Sequence, residues 1–278
     1  MRFLVCALLS SFLLSVSVRS EVLGEIPFQY RDGLIWLKVE VARQDERLNF
    51  LLDSGAGASA IDLQTARSLG VKLGNRQTVE GVNGQAVAYR VSDFRAVANG
   101  IVLPKSVLAI DLRTLSDYCQ QPVDGILGAD FFRRCIVQID FAAGRVRLLK
   151  NCDLNLPNEE ILPIKIFNDA FCVPVGVAGK PPQWMRLDTG CDAALQWVVS
   201  GTDKRRMGLI SIGLSGRSVR YIDTSVQIGK QRFTAVTTVV HKEQIFSGEA
   251  GLLGNDLLSK FRLTIDEPRR RAILEKVR

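Results

Sequence analysis

The second half of this 278-residue chain repeats the first, and that restricts it to two copies of one unit packed as a single molecule. Ile26-Pro27-Phe28-Gln29-Tyr30 aligns with Leu162-Pro163-Ile164-Lys165-Ile166, and Leu37-Lys38-Val39-Glu40-Val41 with Val173-Pro174-Val175-Gly176-Val177 at the same offset. Phe50-Leu51-Leu52-Asp53-Ser54-Gly55 then faces Met185-Arg186-Leu187-Asp188-Thr189-Gly190, 135 positions on. Gly125-Ile126-Leu127-Gly128-Ala129-Asp130-Phe131-Phe132 faces Gly251-Leu252-Leu253-Gly254-Asn255-Asp256-Leu257-Leu258 at an offset of 126, so the second copy has lost about nine residues in between. Ile139-Asp140 facing Ile265-Asp266 completes the register. The turn-rich stretch 151–158 marks the join, giving a first lobe over 21–152 and a second over 153–278.

Within each copy the pattern is that of short strands. Leu34 to Val41, Leu48 to Leu52, Ala86 to Val91, Ile136 to Asp140 and Val146 to Leu149 are apolar or β-branched runs bounded by Gly, Asn, Asp or Pro. Asp62 to Leu69, capped by Asp62 and stopped by Gly70, reads as a short helix. Asn83-Gly84 and Ser215-Gly216 sit at the tips of expected hairpins. The fold class expected is all-β, in two pseudo-symmetric lobes with one short helix each.

Composition narrows the chemistry. At 47% hydrophobic and 23% charged residues the chain is globular, and +7 falls to +5 without Arg2 and Arg19. That is too mild for a nucleic-acid partner. Met1-Arg2 followed by the apolar run Phe3 to Val18 reads as an export signal over 1–20, too short and serine-broken to span a bilayer; periplasmic or extracellular localisation without stable membrane insertion is expected. Cys119, Cys135, Cys152, Cys172 and Cys191 then remain, up to two disulfides' worth, with no Cys-x-x-Cys pair. His241 is the only histidine, so neither a zinc site nor Ser-His or Cys-His catalysis is expected, and no metal or cofactor is called for. Lys204-Arg205-Arg206 and Arg269-Arg270-Arg271 read as solvated loops rather than a surface-binding patch.

The remaining chemistry-bearing motif is Asp-Ser/Thr-Gly at the end of an apolar strand, at Asp53 and Asp188. One such tripeptide arises by chance in about one chain in ten of this length. Two at equivalent places of a duplicated unit, each followed by apolar-apolar-Gly (Ile126-Leu127-Gly128, Leu252-Leu253-Gly254), do not. Asp130, Asp140, Asp256 and Asp266 are also repeated, and read as strand-end and turn residues.

Across about residues 26–275 the chain resembles the aspartic protease superfamily, and within it the bacterial retropepsin-like aspartyl proteases, here with two lobes in one chain. The resemblance implies a pepsin- or retropepsin-like pair of closed-barrel-like lobes with the active site between them, active as a monomer on a polypeptide substrate. Asp53 and Asp188 would be the catalytic pair, and Ser54 and Thr189 would cross-bond the two loops. Two carboxylates about 3 Å apart cannot both ionise comfortably, so one serves as base and the other as acid to a water attacking a peptide carbonyl. Gly55 and Gly190 let backbone N–H groups approach the carboxylates, and Gly128 and Gly254 leave room for the adjacent strand. Hairpins around Gly81, Asn83 and Gly84, and around Ser215 and Gly216, would be substrate-covering flaps, with Tyr89 the nearest aromatic in the first. Cys191 departs from the family's usual Ala or Ser; it reads as a packed thiol, with pairing to Cys172 or oxidation as alternatives. A different class remains open: a secreted, non-catalytic peptide-binding module on the same fold.

Overall fold

The computed structural model describes residues 21–42, 45–81, 84–133, 135–151, 159–199, 208–209 and 220–276. Residues 1–20, with the expected export signal, lie outside the described residues, as do Asn83, Cys152, Lys204-Arg205-Arg206, Ser215 and Gly216. Among the described residues no helix is long and apolar enough to cross a membrane.

The repeated sequence folds into a repeated order of strands. Each copy opens with a hairpin, Val22–Arg31 with Leu34–Val41 and Lys165–Phe167 with Ala170–Val177. Both turn on two left-handed residues, Asp32-Gly33 (φ 53° and 75°) and Asn168-Asp169 (φ 45° and 61°), the geometry that suits the twist of paired strands. Next comes the strand that delivers the aspartate, Leu48–Leu52 or Gln183–Leu187. It runs parallel to the apolar-apolar-Gly strand, Gly125–Leu127 or Gly251–Leu253.

In the second lobe six strands close into a barrel. Ala170–Val177, Gln183–Leu187, Gly251–Leu253, Leu195–Val198, Gln231–His241 and Arg220–Ile228 follow in turn, and Val175↔Ile228 and Val177↔Val226 shut the ring. The first lobe follows the same path but does not close in the same way. Its counterparts of the long hairpin are broken, into Gly84–Val91 and Ala96–Ala98 on one side and Ile101–Val102 and Val107–Ile110 on the other. At the break Phe94 turns inward and stacks on Phe50, ring centroids 6.3 Å apart. The second lobe absorbs the same bend in a bulge between Thr224 and Val226, keeping its strands whole.

The expected helix is present as Leu63–Ser68, with the Asp62 carboxylate accepting from the Gln64 and Thr65 N–H groups. The first lobe adds Arg113–Cys119 and Ala129–Phe132, and the second has Asn255–Leu258. Arg113–Cys119 has neither a side-chain N-cap nor a buried residue, so it left no periodic trace, and the other two are single turns.

The lobes are joined by hydrogen bonds as well as by packing. Ile136–Asp140 pairs antiparallel with its own counterpart, Phe261–Asp266. Three strands from each copy therefore form one continuous sheet around a pseudo-twofold junction. Asp140 sits buried at that junction and accepts from the Ala143 N–H, Arg147 of its own lobe and Arg262 of the other, each at 3.0 Å. Burial alone would raise its pKa, but these donors outweigh it and hold the carboxyl below the usual range. The repeated aspartates read as turn and strand-end residues have such structural partners: Asp130 holds Ser59, and Asp266 takes Arg269 and Arg271. Arg270 pairs with Glu267, so each arginine of the Arg269–Arg271 run has an acidic partner.

Replacing Asp140 leaves Arg147 and Arg262 facing each other across the junction. Asp140→Ala is expected to cost about 2–4 kcal/mol in urea denaturation at pH 7. Because its folded pKa is depressed, the wild-type advantage holds above the ordinary aspartate pKa and is lost as pH falls through the folded value, so the two unfolding curves converge in acid.

Candidate active site

The two Asp-Ser/Thr-Gly loops meet at the lobe junction. Each aspartate leaves the end of its strand with its N–H bonded to the neighbouring apolar strand, Asp53 to the Leu127 carbonyl at 2.9 Å and Asp188 to that of Leu253 at 3.0 Å. The chain then turns back across the glycine that ends that strand. A Cβ on Gly128 would lie 2.5 Å from the Ala58 carbonyl carbon, and one on Gly254 2.2 Å from the Ala193 oxygen, so only glycine permits the crossing.

Ser54 and Thr189, both fully buried, bind the loops to each other. The Ser54 N–H donates to Thr189 Oγ1 at 2.9 Å and the Thr189 N–H to Ser54 Oγ at 3.1 Å. Each hydroxyl then donates onward across the junction, Ser54 to the Leu187 carbonyl at 2.7 Å and Thr189 to that of Leu52 at 2.9 Å. Four hydrogen bonds thus tie the strand ends behind the aspartates. In front of them a Cβ on Gly55 would lie 2.4 Å from Asp188 Cγ, and one on Gly190 2.3 Å from Asp53 Cγ. Each carboxyl group rests against the glycine of the opposite loop.

The carboxyl groups are within hydrogen-bonding reach of each other. Asp53 Oδ1 accepts from the N–H groups of Gly55 at 2.9 Å and Ala56 at 3.0 Å, whereas Asp188 Oδ1 accepts from Gly190 alone, at 3.0 Å. Burial raises both pKa values. Asp53 is pulled back down by its partner and its two N–H donors, while Asp188 is pushed well above the usual range by burial and by the Asp53 charge. Both pKa values stay raised, so the pair favours sharing one proton, and the second N–H donor on Asp53 favours charge on that side.

Around the pair, the opening hairpin turn of each lobe seats on the loop of the other. Gly33 lies against Asp192, where a Cβ would come within 2.7 Å, and Asp169 lies against Gly57. Tyr118 donates to Asp192, and Arg133 to the Asp169 carbonyl. Asn255 Nδ2 donates to both the Thr189 and Gly33 carbonyls at 2.7 Å.

One group close to the site was not singled out from the sequence. Arg186, two residues before Asp188, is buried, with its Nε and Nη2 on the equally buried Glu249 at 2.7 and 2.5 Å and its Nη1 on the Gly55 carbonyl at 2.7 Å. An arginine inside an apolar strand, where the first copy has Leu51, was the available signal.

The other expected residues fall as follows. Gly81 and Gly84 end the paired strands Arg76–Gly81 and Gly84–Val91, an exposed hairpin in which Tyr89 lies near the base, opposite Arg76. Cys191 is a buried thiol bonded by Gln196 Nε2 at 3.4 Å, and no disulfide joins it to Cys172. His241 is half-buried, bonded through Nε2 to Gln196 Oε1 at 2.9 Å, and burial lowers its pKa. Among the described residues no cluster of His, Cys, Asp and Glu is suited to a metal.

Two outcomes are expected. Ser54→Ala removes the bond to the Leu187 carbonyl and the acceptor of the Thr189 N–H, both buried, and should cost about 2–4 kcal/mol in chemical denaturation. The raised Asp188 pKa means the folded state holds a proton that the unfolded chain releases, so stability falls as pH rises from the ordinary aspartate pKa toward the folded one. Asp188→Asn removes that slope, and should melt above the wild type at pH 7 but not at pH 3 in paired calorimetric scans.

Residues 37–131 match a family model described as aspartyl protease, a span holding the first loop and Ile126-Leu127-Gly128. The retrovirus-related Pol polyprotein from transposon 412 of Drosophila melanogaster is 28% identical over 99 residues, which is 36% of this chain and 8% of that polyprotein. The chain thus matches under a tenth of that relative's length. The first lobe is similar to the aspartyl protease family over residues 37–131, and the second lobe repeats the matched unit down to its Asp-Thr-Gly loop.

Proposed function

We propose that the protein is an exported aspartic endopeptidase whose reacting groups are Asp53 and Asp188. The observation that carries this reading is the contact of two buried carboxyl groups across the lobe junction, unequal in their N–H donors. A protein gains nothing in stability from burying two like acids face to face, whereas hydrolysis needs a base and an acid on either side of one water.

In the proposed cycle Asp53 takes a proton from that water while its oxygen attacks the peptide carbonyl carbon. The carbonyl oxygen takes the Asp188 proton, giving a neutral gem-diol. Asp53 then passes its proton to the leaving nitrogen as the C–N bond breaks, and Asp188 recovers one from a gem-diol hydroxyl. The pair ends as it began, and no covalent intermediate forms.

The rest of the proposal follows from this centre. The substrate is a polypeptide, bound beneath the hairpin that carries Gly81 and Gly84, and the active form is a single chain because both loops are in it. The lobes are 21–152 and 153–278, and residues 1–20 direct export, supported by their basic start and apolar run.

The test is hydrolysis of an unfolded-protein mixture from pH 3 to 8 by wild type, Asp53→Asn and Asp188→Asn, with and without a pepstatin-type inhibitor. Each substitution is expected to lower turnover about 10²- to 10⁴-fold while the fold persists. Wild type that binds peptides but cleaves none at any pH would put the non-catalytic binding module in place of the peptidase.

A further inference from the structure

The two copies differ most sharply where the duplication should make them alike. Leu51 and Val123 of the first copy, which align with Arg186 and Glu249, share a small apolar cluster with Leu34, Trp36 and Leu112. The second copy has an ion pair in their place, buried to the same degree. Taking two charges out of water is costly, and an apolar pair of similar volume often serves stability as well or better. The first copy is an internal demonstration that this position works with apolar residues.

What the ion pair adds is a contact with the opposite loop. The Arg186 guanidinium, stacked on Phe246 with its carbon 3.5 Å from the ring centroid, spends two N–H groups on Glu249 and aims a third at the Gly55 carbonyl. Glu249 is steadied in turn by Asn168 Nδ2 at 3.2 Å. The Gly55 carbonyl and the Ala56 N–H belong to one peptide unit, and that N–H donates to Asp53 Oδ1. A cation on the carbonyl end polarises the amide and strengthens donation from its other end. Both loops bond this N–H to the aspartate's own backbone carbonyl, Ala56 to Asp53 at 3.2 Å and Cys191 to Asp188 at 3.3 Å, but only Ala56 also donates to the carboxylate.

We propose that Arg186 is a positioning residue for the pair: through the Gly55–Ala56 peptide it holds the first loop in place, and its charge keeps the two buried carboxyl groups able to ionise. This inference rests on the peptidase reading for its consequence, the pH range of activity, but not for the electrostatics. The positive charge lies near both carboxyl groups and favours ionisation of each, against the effect of burial. The other titratable groups packed here do not compete. Cys172, beside Arg186 on the adjacent strand, is pushed up to about 12 by burial and Glu249, and Cys191 beside Asp188 is raised by burial, so both stay neutral thiols. Tyr118, at Asp192, is likewise raised by burial and remains neutral, and Asp192 and Asp169 are engaged by Tyr118 and Arg133.

The experiment uses the double substitution Arg186→Leu/Glu249→Val, which installs the first copy's residue types and strands no buried charge, beside Arg186→Lys, which keeps the charge. Two readouts are taken: the pH profile of kcat/KM, and titration of aspartate carboxyl carbons by NMR, which needs no turnover. In the double variant both limbs of the profile should shift to higher pH with KM little changed. At a fixed pH on the acid limb kcat/KM should fall about threefold or more. The coupled carboxyl titration should move the same way, and Arg186→Lys should lie between the double variant and wild type. A folded double variant whose titration superimposes on wild type overturns the role given to Arg186. Absence of cleavage by wild type overturns the peptidase reading instead, and the carboxyl titration then decides on Arg186 alone.

Discussion

Two buried carboxyl groups in contact repel as soon as both ionise, and the lobe junction is built to resist that separation. The glycine backing each carboxyl sets how close the groups come, while the four Ser54 and Thr189 bonds keep the loops from parting. Farther out, each hairpin turn braces the other lobe's loop, and beneath them the shared six-stranded sheet fixes the angle between lobes. None of these contacts is local in sequence. Ser54 and Thr189 are 135 positions apart, so the site exists only after both lobes have folded and docked.

The pseudo-twofold symmetry is kept in the backbone and broken in the side chains. The second loop is steadied by Asn255, which ties Thr189 to the Gly33 turn, while the equivalent Ala129 can do nothing of the kind. The first loop is braced instead by Arg133 on Asp169 and by Arg186 on Gly55. A strictly symmetric pair would leave the proton equally at home on either carboxyl. Unequal bracing gives the two acids different surroundings, and different surroundings are what separate a base from an acid of the same residue type.

The strands and the paired loops were legible because duplication doubled every signal. An Asp-Ser-Gly seen once is noise, but seen twice in register it marks a candidate site. The capped helix at Leu63–Ser68 was legible through Asp62, while Arg113–Cys119 was not, since its cap residue is Leu112 and its faces are all exposed or half-exposed. The break at Phe94 was hidden because a strand interruption filled by a core aromatic looks like one more apolar residue. Arg186 and Glu249 escaped because they lie 63 positions apart, and only the fold turns two isolated charges into a pair. A comparison of the copies against each other, position by position, would have exposed both as charges facing Leu51 and Val123.

The difference in closure between the lobes bears on where the molecule can move. In the second lobe every strand of the ring has two partners, so opening any one breaks two ladders. In the first lobe the hairpin of Arg76–Gly81 and Gly84–Val91 pairs with the rest of its sheet through the Val107–Ile110 strand, and among its described residues only Ala88 and Val91 are buried. Segments with few buried contacts and an exposed ladder open at low free energy. In the peptidase reading proposed above this hairpin covers the substrate, and a cover that lifts has to come from that end of the stability range. The interruption at Phe94 separates the hairpin strand Gly84–Val91 from Ala96–Ala98, the part that pairs back with Leu34–Val41, whereas Arg220–Ile228 runs whole to its pairing with Ala170–Val177.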